Sequence, residues 1–150
     1  MKKSYILCLS LLFLSLLGTC SAINVNLNEG SIVEIPNEYE ISYGNDGSVN
    51  IFNRPYCIII MDESELLSNE KKLDIAEYSL GVEDYRIIEV ENFEVMEYTA
   101  KPQDTGSVIY GYYVDTRDST IWFMVNINPE YEWNIDDSSN PVHKIINNMK

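Results

Sequence analysis

The feature that most constrains the fold is a pair of apolar runs within residues 107–127, which read SVIYGYYVDTRDSTIWFMVNI. Side chains of a β-strand alternate between its two faces, and both alternating sets are apolar in each of these runs. The segment DTRDS between them has the polar composition of a turn. Strands that are apolar on both faces lie inside sheets covered on both sides. We therefore predict a hairpin in the middle of a sheet.

Further strands are indicated before this hairpin. The run PYCIIIMD at 55–62 is also apolar on both faces, so we expect it inside the sheet, with the Cys57 thiol shielded. Residues 23–30 are predicted to be a short polar lead-in. The other predicted strands occupy 31–36, 37–53 as a pair around the turn Asn45-Asp46-Gly47, 85–90 and 93–100.

Two helices complete the predicted fold. Leucines recur every seven residues along 66–80, and Gly81 is a natural helix end. This helix could start from a capping box at Asp62 or from a cap at Ser68. A closing helix would begin at Pro141, which suits a first turn. The order of elements predicts an α+β fold with a single antiparallel sheet and helices packed on its faces.

The N-terminal segment has the layout of a secretory signal. Lys2 and Lys3 precede an apolar stretch over 5–17, and small residues follow up to Ala22. A helix that spans a bilayer needs about 20 apolar residues, so this stretch is too short. We predict a signal peptide at 1–22 and one globular domain at 23–150, with no transmembrane span in the mature chain.

Two processing routes are open at the end of this segment. Cleavage after Ala22 would place small side chains, Ala22 and Cys20, at the −1 and −3 positions. The sequence LGTC also resembles the bacterial lipobox, in which the cysteine is lipidated, although Thr19 fits that pattern poorly. We favour cleavage after Ala22 and keep a lipid anchor at Cys20 as the alternative. Either route predicts a secreted or cell-surface protein.

Charge limits the partners. The chain has 24 acidic and 10 basic residues, a net charge of −14. Loss of Lys2 and Lys3 with the signal lowers this value to −16. A strongly negative surface repels nucleic-acid backbones and anionic headgroups. We therefore expect no nucleic-acid binding and predict a protein or cell-envelope partner.

One loop has the oxygen ligands that calcium prefers. The segment NIDDSSN supplies amide and carboxylate oxygens close together in the sequence, although it lacks the EF-hand pattern. The same residues could cap the closing helix. We expect no cofactor, with calcium as the alternative. The candidate ligands are Asn134, Asp136, Asp137 and Asn140.

Aromatic residues indicate a binding surface. Tyrosine and tryptophan are dense in the predicted hairpin and in the loop after it, and exposed aromatic patches mark interaction sites. The alternative is that the hairpin aromatics belong to the core. The candidate partner-binding residues are Tyr131 and Trp133 in the loop and Tyr113 in the hairpin.

No motif in the sequence specifies a reaction. His143 is the only histidine, and Cys57 is the only cysteine beyond the signal segment. A nucleophilic pair of these two is disfavoured, because apolar surroundings would leave the thiol protonated and inert. Catalysis is therefore not expected. The alternative from another class is an extracellular hydrolase that uses acidic residues, with calcium assistance.

The stretch VEIPNEYEIS, followed by a strand pair, a buried strand and a helix, resembles the opening of small exported domains with the PsbP-like fold. The Asn- and Ile-rich composition is also similar to uncharacterised exported proteins of methanogenic archaea. The first resemblance implies a binding or assembly factor. We expect an exported acidic binding or assembly module at or outside the cell surface.

The mature N-terminus is predicted to be Ile23. Small residues at Ala22 and Cys20 fit signal peptidase, and Thr19 weakens the lipid route. Intact-mass measurement of the protein from native cells distinguishes the two routes. A terminus at Cys20 with the added mass of acyl chains would show that the protein is membrane-anchored.

Overall fold

The computed structural model describes residues 22–27, 31–102 and 107–149. Cys20 lies outside these residues, so both processing routes stay predictions. The described elements are β1 (Ala22–Asn26), β2 (Ile32–Pro36), β3 (Glu40–Tyr43), β4 (Val49–Asn53), β5 (Tyr56–Asp62), α1 (Asn69–Leu80), β6 (Val82–Val90), β7 (Phe93–Ala100), β8 (Ile109–Asp115), β9 (Thr120–Ile127) and α2 (Pro141–Ile146).

The strands form two sheets. Seven of them make one sheet in the order β3-β4-β5-β9-β8-β7-β6, and β1 and β2 form a separate two-stranded sheet. Each strand pair in the described ranges is antiparallel. The predicted hairpin is β8–β9, with β9 as the central strand, so its predicted position in mid-sheet is confirmed.

Both faces of the large sheet are covered, as the apolar hairpin requires. On the α1 face, Tyr113 belongs to a buried cluster with Ala76 of α1. On the α2 face, Tyr112 belongs to a larger cluster that includes Val142 of α2 and residues of β1 and β2. The two-sided pattern of the hairpin therefore reflects two separate apolar layers.

The predicted α+β fold with a single sheet is wrong. In the described residues the fold is mostly β, with two sheets, and its two helices have only 12 and 6 residues. The second sheet arises because residues 23–30, predicted to be a polar lead-in, contain strand β1. Ile23, Val25 and Leu27 alternate with asparagines, which is the pattern of a strand with one apolar face. Val25 is 1% exposed and Leu27 6%, because β1 pairs with β2 and packs on the α2 face.

Strand β5 is less covered than its sequence predicts. Ile58 and Ile60 are fully buried, whereas Cys57 and Ile59 on the opposite face are half-buried. The helix on that side, α1, packs on β6 and β7 and leaves this end of the face more open. The expected shielding of the Cys57 thiol is therefore only partial.

Helix α1 starts at the second of its two predicted positions. The Ser68 hydroxyl accepts a hydrogen bond from the Lys71 amide at 3.2 Å, and Gly81 ends the helix with a φ of 70°, a conformation that favours glycine. The helix is tied to the sheet by a buried ammonium, because Lys72 Nζ lies 2.6 Å from Asp115 Oδ2. This contact joins α1 to the end of β8.

Helix α2 begins as predicted at Pro141. The side chain of Asn140 caps it by accepting a hydrogen bond from the His143 amide at 2.9 Å. Neither helix of the described chain has the length and apolar composition needed to cross a membrane.

The β1–β2 sheet should contribute measurably to stability. Val25→Ala removes two methyl groups from the core, so we expect the free energy of unfolding to fall by about 2 kcal/mol. Ile23→Ala is the matched control on the same strand, where the side chain is 43% exposed, and should cost less than about 1 kcal/mol. Urea unfolding measures both. Equal effects would show that β1 does not pack on the α2 face.

Candidate functional site

The candidate site is a cavity of about 520 Å³ formed by β8, β9 and the loop that follows β9. Its wall is partly polar and partly aromatic. Three aromatic rings and one carboxylate contribute to the lining, whose members include Tyr110, Ile127, Pro129, Tyr131, Glu132 and Trp133. The cavity therefore combines apolar ring surface with a negative charge.

A tight turn positions one wall of the cavity. The Asn128 carbonyl accepts a hydrogen bond from the Tyr131 amide at 2.9 Å, and its side-chain oxygen accepts one from the Glu130 amide at 3.1 Å. Asparagine first and proline second are the residues that such a turn favours. The turn reverses the chain directly after β9 and leaves Tyr131 54% exposed.

The ring of Trp133 is fixed by three contacts. Its indole N–H donates to the Tyr112 hydroxyl at 2.8 Å. Its ring packs edge-on against Tyr56, with centroids 5.5 Å apart, and lies at 31° to the Tyr110 ring at 6.1 Å. These contacts hold Trp133 half-buried before any ligand is present.

The Tyr112 hydroxyl is the centre of this arrangement. The side chain is fully buried on β8, and Asn140 donates a second hydrogen bond to its hydroxyl at 3.3 Å. Burial raises the pKa of Tyr112 far above its ordinary value, so the hydroxyl stays neutral. One residue of the sheet therefore holds both the ring of Trp133 and the N-terminal cap of α2.

The structure separates the three predicted partner-binding residues. Tyr131 and Trp133 line the same cavity. Tyr113 does not: it is fully buried on the α1 face, stacked between Tyr98 and Trp122. Its position in mid-sheet places it under α1. Contact of Tyr113 with a partner stays a prediction, and its full burial speaks against it.

A buried ionic cluster lies on the α2 face and was not identified from the sequence. Glu97 is fully buried, and its two oxygens lie 2.5 Å from His143 Nε2 and 2.6 Å from Arg86 Nε. Arg86 also forms an ion pair with Asp136. Burial opposes the charge of Arg86, but its hydrogen bond with Glu97 and the attraction of both carboxylates raise its pKa above the usual value.

The sequence contains only a weak indication of this cluster, because the face that Glu97 occupies depends on how β7 pairs with its neighbouring strands. Glu97 follows Val95 and Met96 in a strand with no strict alternation, so its face is not evident from β7 alone. Pairing of Glu97 with Tyr112 on one side and Arg86 on the other places it on the α2 face. The pairing of Glu97 with Tyr112, a residue of the apolar hairpin, is the feature that indicates a buried glutamate.

The four predicted calcium ligands have other partners. Asn134 and Asp137 accept hydrogen bonds from the amides of Asp136 and Ser139, at 3.0 and 2.8 Å. Hydrogen bonds from the Ser139 side chain and from its amide hold the pKa of Asp137 below its usual range. Asp136 pairs with Arg86, and Asn140 caps α2. The four side chains thus stabilise the loop and its junction with α2.

Within the described ranges, no three histidine, cysteine, aspartate or glutamate side chains are grouped so that they could hold a metal ion. Calcium binding by the loop at 134–140 stays a prediction, and the contacts above compete with it.

Cys57 and His143 line different cavities. Cys57 borders one of about 760 Å³ together with Glu38, Arg54 and Asn126, and burial raises the pKa of its thiol. His143 borders another of about 310 Å³ beside Arg86. The structure therefore gives no support to a nucleophilic pair of these two residues.

Neither protein-family models nor curated protein sequences show a match to this chain. The resemblance to PsbP-like domains stays a prediction.

The domain should fold without metal, because the predicted calcium ligands already have protein partners. We expect the same melting temperature in EDTA and in millimolar calcium. A bound ion at 100 times its dissociation constant would stabilise the fold by about 2.7 kcal/mol, which is several degrees. A calcium-dependent rise that disappears in Asp137→Asn would instead establish the site at 134–140.

Proposed function

We propose that this protein is an exported, non-catalytic binding module that works at or outside the cell surface. It holds a protein or cell-envelope partner in the cavity lined by Tyr110, Tyr131 and Trp133. The observation that carries the proposal is the fixed position of Trp133, whose indole donates to the buried Tyr112 hydroxyl.

A prearranged ring supports binding because little conformational entropy is lost when the ligand arrives. Trp133 is held by Tyr112 and packs against Tyr56, so its rotamer is set by the fold. Tyr131 is exposed on the turn beside it. Tyrosine and tryptophan in such positions carry much of the binding energy at protein interfaces.

The charge of the chain supports the choice of partner. With a net charge of −16 after loss of the signal segment, the protein favours neutral or basic partners and disfavours nucleic acids. The cavity has Glu132 in its wall, which agrees with this preference.

A hydrolase is the second candidate, on the basis of a different cavity. Glu89, Glu91 and Asp136 border the same 310 Å³ space as His143, and paired carboxylates are the groups that acid–base hydrolysis uses. Asp136, however, is already paired with Arg86. This pairing makes the hydrolase the weaker candidate.

Removal of an exposed ring from the cavity should weaken binding without unfolding the protein. We expect Tyr131→Ala to lower the affinity for the native cell-envelope fraction by about tenfold, or about 1.4 kcal/mol. Co-sedimentation of the purified domain with that fraction measures the affinity, and thermal unfolding checks the fold.

Tyr78→Ala is the matched control for this experiment. Tyr78 is 94% exposed on α1, on the opposite side of the sheet, so its loss should leave binding unchanged. Equal binding by Tyr131→Ala and the unmodified protein would overturn the proposal. Release of soluble fragments from the envelope fraction would support the hydrolase.

A further inference from the structure

The ring surface in the cavity points to the type of ligand group. The indole N–H of Trp133 is already used by the Tyr112 hydroxyl at 2.8 Å, so the ring has no donor left for a ligand. The ring also meets the Tyr56 ring in an edge-to-face contact, with centroids 5.5 Å apart. What Trp133 and Tyr110 offer to the cavity is aromatic π surface.

Aromatic π surface attracts cations, because the ring faces carry negative potential. Glu132 adds a full negative charge to the same cavity. Its described lining contains no lysine, arginine or histidine that would repel a cation or neutralise Glu132. Ring surface and carboxylate therefore favour the same kind of group.

We propose that the cavity binds an arginine side chain of a basic partner protein, with the guanidinium on the Trp133 and Tyr110 rings and its charge balanced by Glu132. This inference rests on the proposed function and specifies its ligand. Guanidinium is planar and stacks on aromatic faces better than an ammonium does. The net charge of −16 that remains without the signal segment would guide such a basic partner to the protein.

Two blocked peptides that differ at one position test the charge requirement. One carries a single central arginine and the other carries citrulline, its neutral isostere. Tryptophan fluorescence follows binding, since the only other tryptophan, Trp122, is 8% exposed on the α1 face and away from the cavity. We expect the arginine peptide to bind at least about fivefold more tightly than the citrulline peptide. Its affinity should fall as salt is added, because salt screens the attraction to Glu132.

Two loop variants test the role of the carboxylate. Glu132→Gln should reduce the preference for arginine over citrulline about threefold or more. Glu130→Gln is the matched control, because Glu130 is exposed in the same loop but does not line the cavity. Equal effects of the two variants would show only a general influence of loop charge, and would overturn the assignment.

Other outcomes separate this inference from the proposed function. If both peptides bind equally, or if a neutral envelope disaccharide binds and the arginine peptide does not, the arginine assignment is overturned. The proposed function still stands in that case if Tyr131→Ala weakens envelope binding. If that variant binds the envelope normally, the proposed function fails, whatever the peptides show.

Discussion

The buried hydroxyl of Tyr112 is the contact on which the candidate site depends. It lies on β8 under α2 and accepts hydrogen bonds from the indole of Trp133 and the side chain of Asn140. A hydroxyl oxygen has two acceptor positions, and these two donors occupy both of them. The sheet, the loop after β9 and the start of α2 are thus joined at one atom. Movement of the loop would leave buried polar groups without partners, which costs about 1–3 kcal/mol for each group.

A second constraint on the same face is the buried charge of Glu97. An isolated carboxylate in the core would be strongly unfavourable, and Arg86 and His143 surround it from β6 and α2. His143 closes this side of Glu97 inside the core, whereas the Arg86 side chain is 44% exposed, so solvent screens its share of the contact. Since Arg86 also pairs with Asp136, the ionic cluster contacts the loop three residues after Trp133. The loop is therefore tied to the α2 face at Trp133, at Asp136 and at Asn140.

This arrangement explains how a long polar loop can present aromatic side chains in fixed positions at the candidate site. Loops usually carry function because they are free to vary, and they need a rigid scaffold to position their side chains. Here the scaffold is the central hairpin β8–β9, and the loop supplies Tyr131, Glu132 and Trp133 to a cavity beside it. The half-buried thiol of Cys57 lies in a separate cavity.

The sequence by itself determined most of the local structure. Periodicity identified the central hairpin, the first helix and most strands, because the spacing of apolar residues reports local backbone geometry. Pro141 indicated the start of the second helix. Their place in a predicted loop also indicated Tyr131 and Trp133 as candidate contact residues, and the structure packs Trp133 partly against the core. The same reasoning missed β1, although Val25 and Leu27 alternate with asparagines. So few apolar residues among asparagines also fit a polar segment outside the sheet.

Only the tertiary structure decided how those strands and helices pair and pack. Whether an apolar strand residue meets solvent or a helix depends on which layer covers it, so Tyr113 became core under α1 while Trp133 became the wall of a cavity. The cluster of Glu97, Arg86 and His143 joins residues far apart in the chain through strand register and the placement of α2. Register and layer order arise from packing energies summed over the whole domain, and no local pattern of residues contains them.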